Sequence, residues 1–294
     1  MGQFLQQLIN GLSVGSIYAL IALGYTMVYG IIQLINFAHG DVLMIGAYIG
    51  FFCTTVFHLG FVPSLIIAMA GCAILGVIIE RVAYRPLRNS PRITLLITAI
   101  GVSLVLEYTM VRLVGPGVRA YPQLTGLLAG SVQMFGVSVK NIQIVIVAVS
   151  VTLMLLLQFI VKKTSTGKAM RAVSQDPEAA RLMGISVDRT ISLTFAIGSA
   201  LAGAAGVLLG VYYSSIQPLM GISYGLKAFV AAVFGGIGLI PGALVGGYAI
   251  GLLETAIKGS GFSMYSDGVV YAVLIIVLIV RPTGLLGHNV REKV

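Results

Sequence analysis

Long stretches of this chain contain no charged side chain at all. Residues 1–40, 42–79, 120–139, 141–161, 190–226, 228–253 and 268–280 lack Asp, Glu, Lys and Arg entirely. A helix crosses the hydrocarbon of a bilayer with about 20 mainly apolar residues. An open-ended segment in lipid must be helical, because every backbone N–H and C=O has to be paired within it. The runs predict spans near 8–32, 42–59, 62–82, 93–114, 142–161, 191–213, 226–240, 241–257 and 268–281. The last three are short or glycine-broken, so eight or nine transmembrane helices are expected. The fold class is therefore an all-α polytopic membrane protein, a single transmembrane domain over residues 1–294 with no second, soluble domain.

Composition excludes the alternatives. Only 9% of the 294 residues are charged and 58% are hydrophobic, with a mean hydropathy of +1.02. A soluble domain carries about 25% charged residues. A soluble enzyme, a disordered chain and a nucleic-acid binder are all ruled out. The first 30 residues have no basic segment and their apolar stretch is too long for a signal peptide, so none is expected.

The net charge of +9 matters through its placement. Arg81, Arg85, Arg88 and Arg92 form one basic group. Lys162, Lys163, Lys168, Arg171, Arg181 and Arg189 form a second, and Arg281, Arg291 and Lys293 a third. Lys and Arg gather on the cytoplasmic side of membrane proteins, which puts all three groups and the C-terminus inside. The loops 115–141 and 214–225 hold only Arg119 and Lys140 and fall outside. Parity then puts the N-terminus outside.

The cytoplasmic loop 162–190 carries a well-punctuated short helix. Asp176 suits the N-cap, Pro177 the first helical position, and Glu178 the positive end of the helix dipole. Gly184 suits the left-handed residue that ends a helix. Ala179, Leu182 and Met183 share one face by their spacing, with Ala180 and Arg181 between them. Two readings fit: a helix lying on lipid headgroups, or one that docks in a groove on a cytoplasmic partner.

Glu178-Ala179-Ala180-x-x-x-Gly184 between two spans resembles the EAA loop of ATP-binding-cassette importer permeases, although the downstream Leu-Pro of many such loops is absent. Three further stretches narrow the resemblance. Asn10-Gly11-Leu12 through Gly15-Ser16-Ile17-Tyr18-Ala19-Leu20 is similar to the branched-chain amino acid permease subunits of that class. So are Ile35-Asn36-Phe37-Ala38-His39-Gly40-Asp41 and Arg281-Pro282-Thr283-Gly284-Leu285-Leu286-Gly287. The resemblance implies a subunit of the cytoplasmic membrane of a prokaryote, paired with a second, homologous permease. It also implies cassette ATPases inside and an extracytoplasmic substrate-binding protein outside. Asp176, Glu178, Ala179, Ala180, Leu182, Met183 and Gly184 would then couple to the ATPase. The chain has no G-x-x-x-x-G-K-[ST] loop; Thr166-Gly167-Lys168-Ala169 lacks the first glycine and the hydroxyl. No cofactor is expected on this chain, and ATP would be used by the partner subunit.

Polar groups at membrane depth are costly and are functional candidates by default. Asn36, His39 and Asp41 sit between the first two spans, where Asp41 could instead cap the second helix. Glu107 lies inside the fourth span, with Arg112 five residues on as a possible ion-pair partner. Glu254 and Lys258 read as an i,i+4 pair at a helix end. Gly235, Gly236 and Gly238 break a helix and, with Asn36, His39 and Glu107, form the candidate translocation path. Gly11/Gly15, Gly46/Gly50, Gly206/Gly210, Gly242/Gly246, Gly247/Gly251 and Ser199/Gly203 have the spacing of close helix contacts, within the subunit or with a second permease. Cys53 and Cys72 read as buried thiols, and no metal site is expected. The competing function class is a self-sufficient ion-coupled carrier or channel built on Glu107. Urea, short amides or sugars are the alternative cargoes for an importer.

Overall fold

The structure is a computed structural model that describes residues 2–88, 90–122, 129–134 and 137–287. His288, Arg291 and Lys293, and residues 123–128 of the 115–141 loop, lie outside the described residues. Eleven helices run in chain order: α1 (Gly2–Ile32), α2 (His39–Thr55), α3 (Phe61–Ile79), α4 (Arg92–Val114), α5 (Asn141–Lys163), α6 (Ser165–Gln175), α7 (Pro177–Leu182), α8 (Val187–Tyr213), α9 (Met220–Gly235), α10 (Ile240–Gly259) and α11 (Ser266–Val280). Each predicted span is a helix. Helices α6 and α7 lie in the 162–190 loop, where the sequence reading expects only the second. Two antiparallel pairs of short strands lie between helices: β1 (Arg119–Ala120) with β4 (Ser215–Ile216), and β2 (Ser131–Met134) with β3 (Val137–Lys140).

Among the described residues seven helical segments are long and apolar enough to cross a membrane unaided: α1, α3 with the turn that continues it to Tyr84, α4, α5, α8, α10, and α11 together with the single 3-10 turn before it, Ser263–Val280. Helices α2 and α9 have 17 and 16 residues, short of the roughly 20 a crossing requires. They pack against each other inside the bundle, α2 also on α8 and α3, and α9 on α1 and α10. Every residue of α1 from Ser13 to Val28 is buried, which makes it the axis of the fold. Helices α4, α5 and α11 turn most of their apolar surface outward, as lipid-facing helices do.

Lipid tails are as apolar as leucine, so burial alone does not hold these helices together; close packing of small residues does. A Cβ on Gly247 would meet the Ala19 backbone, and one on Gly251 the Gly15 backbone, so α1 and α10 cross at glycines from both sides. A Cβ on Gly46 would meet Gly203, and one on Gly206 the Leu43 carbonyl, which seats α2 on α8. Gly76 makes room for Ser199, and Gly242 and Gly246 lie against Gly235 and Ala231. The predicted small-residue faces therefore pack within the subunit.

The Gly235–Gly242 stretch forms the turn between α9 and α10. Gly236 and Gly238 take φ of +109° and +94°, a conformation in which a side chain is strained. The C-terminal segment docks on this turn: Leu285 and Leu286 donate backbone hydrogen bonds to the carbonyls of Phe234 and Gly235, at 2.9 and 3.1 Å. Gly247→Val, which forces a methyl into the α1 backbone, is expected to destabilise by about 1–3 kcal/mol. Gly101→Val, at a helix position with nothing within 4 Å, is expected to change stability little. Thermal unfolding of the purified variants in detergent distinguishes the two.

Candidate functional site

Helix α7 is built as its sequence predicts. The Asp176 carboxylate accepts hydrogen bonds from the backbone N–H groups of Glu178 and Ala179, at 2.9 and 3.0 Å, and Pro177 opens the helix. Gly184 ends it with φ of +80°. Ala180 alone turns inward, whereas Leu182 and Met183 are 90% and 82% exposed. Two large apolar side chains held in solvent on a capped helix form a surface suited to a groove. Only four residues separate α7 from α8, so a displacement of α7 passes directly to the base of a buried helix.

That base is anchored. Arg85 pairs with Asp188, and Arg88 bridges Asp188 and Glu80 at 2.6 and 2.8 Å. Ser192 on α8 donates to the other Glu80 oxygen at 2.6 Å. Glu80 stands on a π-helical turn, Glu80–Tyr84, that continues α3. Two of the basic residues assigned to the cytoplasmic side thus tie α3 to α8 beside the α7 loop.

The segment between α1 and α2 tucks into the protein. Asn36 is buried and accepts a hydrogen bond from the Tyr84 hydroxyl at 2.8 Å. The His39 ring lies edge-on to Tyr25, 4.7 Å between centroids, in space that Gly24 leaves free. Helix α2 begins at His39, three residues earlier than the capping reading requires, and has no side-chain cap. Asp41 therefore stands within the first turn and reaches across to α4, where it accepts a hydrogen bond from Ser103.

Glu107 does not pair with Arg112, which is exposed and enters no ion pair among the described residues. It is buried and meets Asp41 instead. The structure thus joins two of the polar anomalies, the Asn36–Asp41 segment and Glu107, through a carboxyl pair. It places Gly235, Gly236 and Gly238 apart from them, under the C-terminal segment.

A further cluster gathers round Lys227, which the sequence reading passed over. Lys227 on α9 pairs with Glu254 at 2.8 Å and with Asp267 at 2.7 Å. Glu254 also receives the predicted Lys258 contact at 2.6 Å and the Tyr18 hydroxyl at 2.6 Å. The signal was present: Lys227 is a lone charge between two charge-free runs, so it needed a partner from another helix. Cys53 and Cys72 are free, buried thiols on α2 and α3.

The geometry of a helical bundle with an exposed cytoplasmic helix can be set beside known proteins. The family described as "Branched-chain amino acid transport system / permease component" matches residues 7–278. The chain belongs to this family. The high-affinity branched-chain amino acid transport system permease protein LivH of Salmonella typhimurium is 46% identical over 305 residues, covering 99% of this chain and 98% of that one. The corresponding protein BraD of Pseudomonas aeruginosa is 45% identical over 301 residues, with the same coverage. PsaBC from Streptococcus pneumoniae, solved in complex with Fab, shares the fold at a TM-score of 0.50 and 13% identity, over 96% of this chain and 93% of that one. This is a multi-pass membrane permease and a transport subunit.

The permease's Lys227 cluster should behave as a network whose members partly cover for one another. Lys227→Met and Glu254→Gln are each expected to cost about 1–3 kcal/mol, less than breaking an isolated buried pair, because Glu254 keeps Lys258 and Tyr18 and Lys227 keeps Asp267. The double variant is expected to recover a large part of that loss. A double-mutant cycle on thermal stability reads the coupling.

Proposed function

We propose that this permease is the membrane subunit of an ATP-binding-cassette importer that passes branched-chain amino acids into the cytoplasm. The observation that carries the proposal is similarity along nearly the entire chain to permease components of branched-chain amino acid transport systems. The exposed, capped α7 supports the division of labour. Cassette ATPases would dock on Leu182 and Met183 from the cytoplasm, and a substrate-binding protein would deliver cargo to the outer face. A second permease would complete the path, and all ATP chemistry would belong to the partner.

The work of the chain is mechanical. ATP binding in the partner would move α7, and the four-residue link would carry that movement into α8. Helix α8 is packed on α2 and α3 through glycine contacts too close for the helices to slide freely, so the group tilts as a body. The basic groups beside the α3 and α8 ends and the α7 loop support the reading that this face, with the C-terminal segment, lies inside the cell.

Replacing Leu182 and Met183 together with Asp leaves the permease fold intact, since both side chains are exposed. It removes apolar contacts worth about 1.5–3 kcal/mol each when buried. Wild-type permease purified from native membranes in mild detergent should carry a cassette ATPase and a second permease at stoichiometric levels. The double variant should retain the permease and lose the ATPase. Wild-type permease isolated alone and transporting under an ion gradient would overturn the proposal.

A further inference from the structure

Between α2, α4 and α9 lies a cavity of about 210 Å³ lined by Tyr25, Phe37, Asp41, Ser103, Glu107 and Ile222, among others. Its two carboxyl groups are 1% and 2% exposed. Asp41 and Glu107 line this cavity together, and Asp41 Oδ1 and Glu107 Oε1 receive no donor from any described group. Neither carboxyl enters an ion pair among the described residues. Unlike the Lys227 cluster, this pair is a set of buried acceptors without a cation. Two adjacent carboxyls in a low dielectric cannot both be charged unless something positive comes between them.

The surroundings select the kind of cation. A hard metal ion takes six or more oxygen ligands, whereas this wall offers two carboxyls and one hydroxyl. No group of three metal-binding side chains occurs among the described residues. The rest of the lining is apolar: Ile100, Leu104, Ile222 and Leu226 form aliphatic walls, and Tyr25 and Phe37 present rings. Helix α9 begins here at Met220, and its Gly221 packs against Gly40 and Asp41, which holds the Asp41 carboxyl at the wall. A carboxyl pair and aliphatic walls match two parts of an apolar amino acid: the ammonium and the side chain.

We infer that the cavity is a transient site for the cargo, with its ammonium group held between Asp41 and Glu107 and its branched side chain against Ile100, Leu104 and Ile222. The inference rests on the importer reading. It adds the residues that recognise the amino group inside the permease.

The complete importer, with its ATPases and binding protein, is reconstituted in proteoliposomes for leucine uptake and ATP hydrolysis. In Asp41→Asn and Glu107→Gln, uptake should fall about tenfold or more, the loss expected for a charge-assisted hydrogen bond, while ATP hydrolysis stimulated by the binding protein persists. Glu107→Lys separates this from a structural role. A lysine there fills the gap with its own ammonium and would restore a structural pair, but it occupies the cargo's place. It should assemble with the ATPases and still fail to move leucine. Wild-type rates in Asp41→Asn and Glu107→Gln, or retained uptake in Glu107→Lys, would overturn the inference. So would wild-type leucine uptake that requires sodium over choline, with the requirement lost in Glu107→Gln, because the pair would then hold an inorganic cation. A wild-type complex that hydrolyses ATP and moves no apolar amino acid would instead refute the importer reading.

Discussion

Close approach of helix backbones carries most of this architecture. In lipid the helices gain little by hiding apolar side chains from one another, so the favourable terms left are dispersion contacts and a few polar links. Both require the backbones to come near. Gly15 and Gly251, Gly247 and Ala19, Gly46 and Gly203, and Gly206 and Leu43 bring α1, α2, α8 and α10 closer than any larger side chain permits. Once those crossings are set, α9 has one remaining place, between α1, α2 and α10, and α3, α4, α5 and α11 stand outside with apolar surface toward lipid. The glycines at these crossings are a structural necessity of a bundle that lacks a hydrophobic drive toward its own centre.

The charges fall into three kinds, distinguished by what surrounds them. Arg85, Arg88, Glu80 and Asp188 lie at the bundle end and clamp α3 to α8. Lys227, Glu254, Lys258, Asp267 and Tyr18 compensate one another and tie α9, α10, α11 and α1. Asp41 and Glu107 are buried like the second kind and unpaired like neither. A protein that can match a buried lysine with two carboxylates in one place had the means to do so in the other. An uncompensated pair is therefore the informative one.

Local rules made part of this legible before the structure. Charge-free runs located every long helix, because an uncharged stretch of twenty residues has one stable arrangement in lipid. The cap, the proline and the left-handed glycine of α7 were readable because each acts within four residues. What failed was long-range pairing. Arg112 was the nearest cation to Glu107 in sequence, but a position five residues away points off the shared helix face, and Asp41, 66 residues earlier, occupies the site. Asp41 itself read as a cap, since Asn-x-x-His-Gly-Asp looks like a turn. The helix starts three residues sooner because the segment folds inward, with Asn36 satisfied by Tyr84 and the His39 ring seated in the space beside Gly24.

The two short helices connect these observations. Helices of 17 and 16 residues stand at the lower limit for a crossing, and irregular or interrupted backbone at depth is tolerated where protein buries it or a cavity is lined. Here the starts of α2 and α9 abut: Gly40 and Gly221 face each other, and a Cβ on Gly221 would strike Asp41. The meeting point of two helix starts is where the carboxyl pair and the cavity lie. Helix α2 is seated on α8 through Gly46, Gly203 and Gly206, and α8 begins four residues after α7. A push at the cytoplasmic helix therefore has a short, tightly packed route to the wall that carries Asp41, while Glu107 stands on α4, which holds to the bundle loosely. Opening and closing the gap between those two carboxyls needs only that α8 and α2 move together and α4 lag behind.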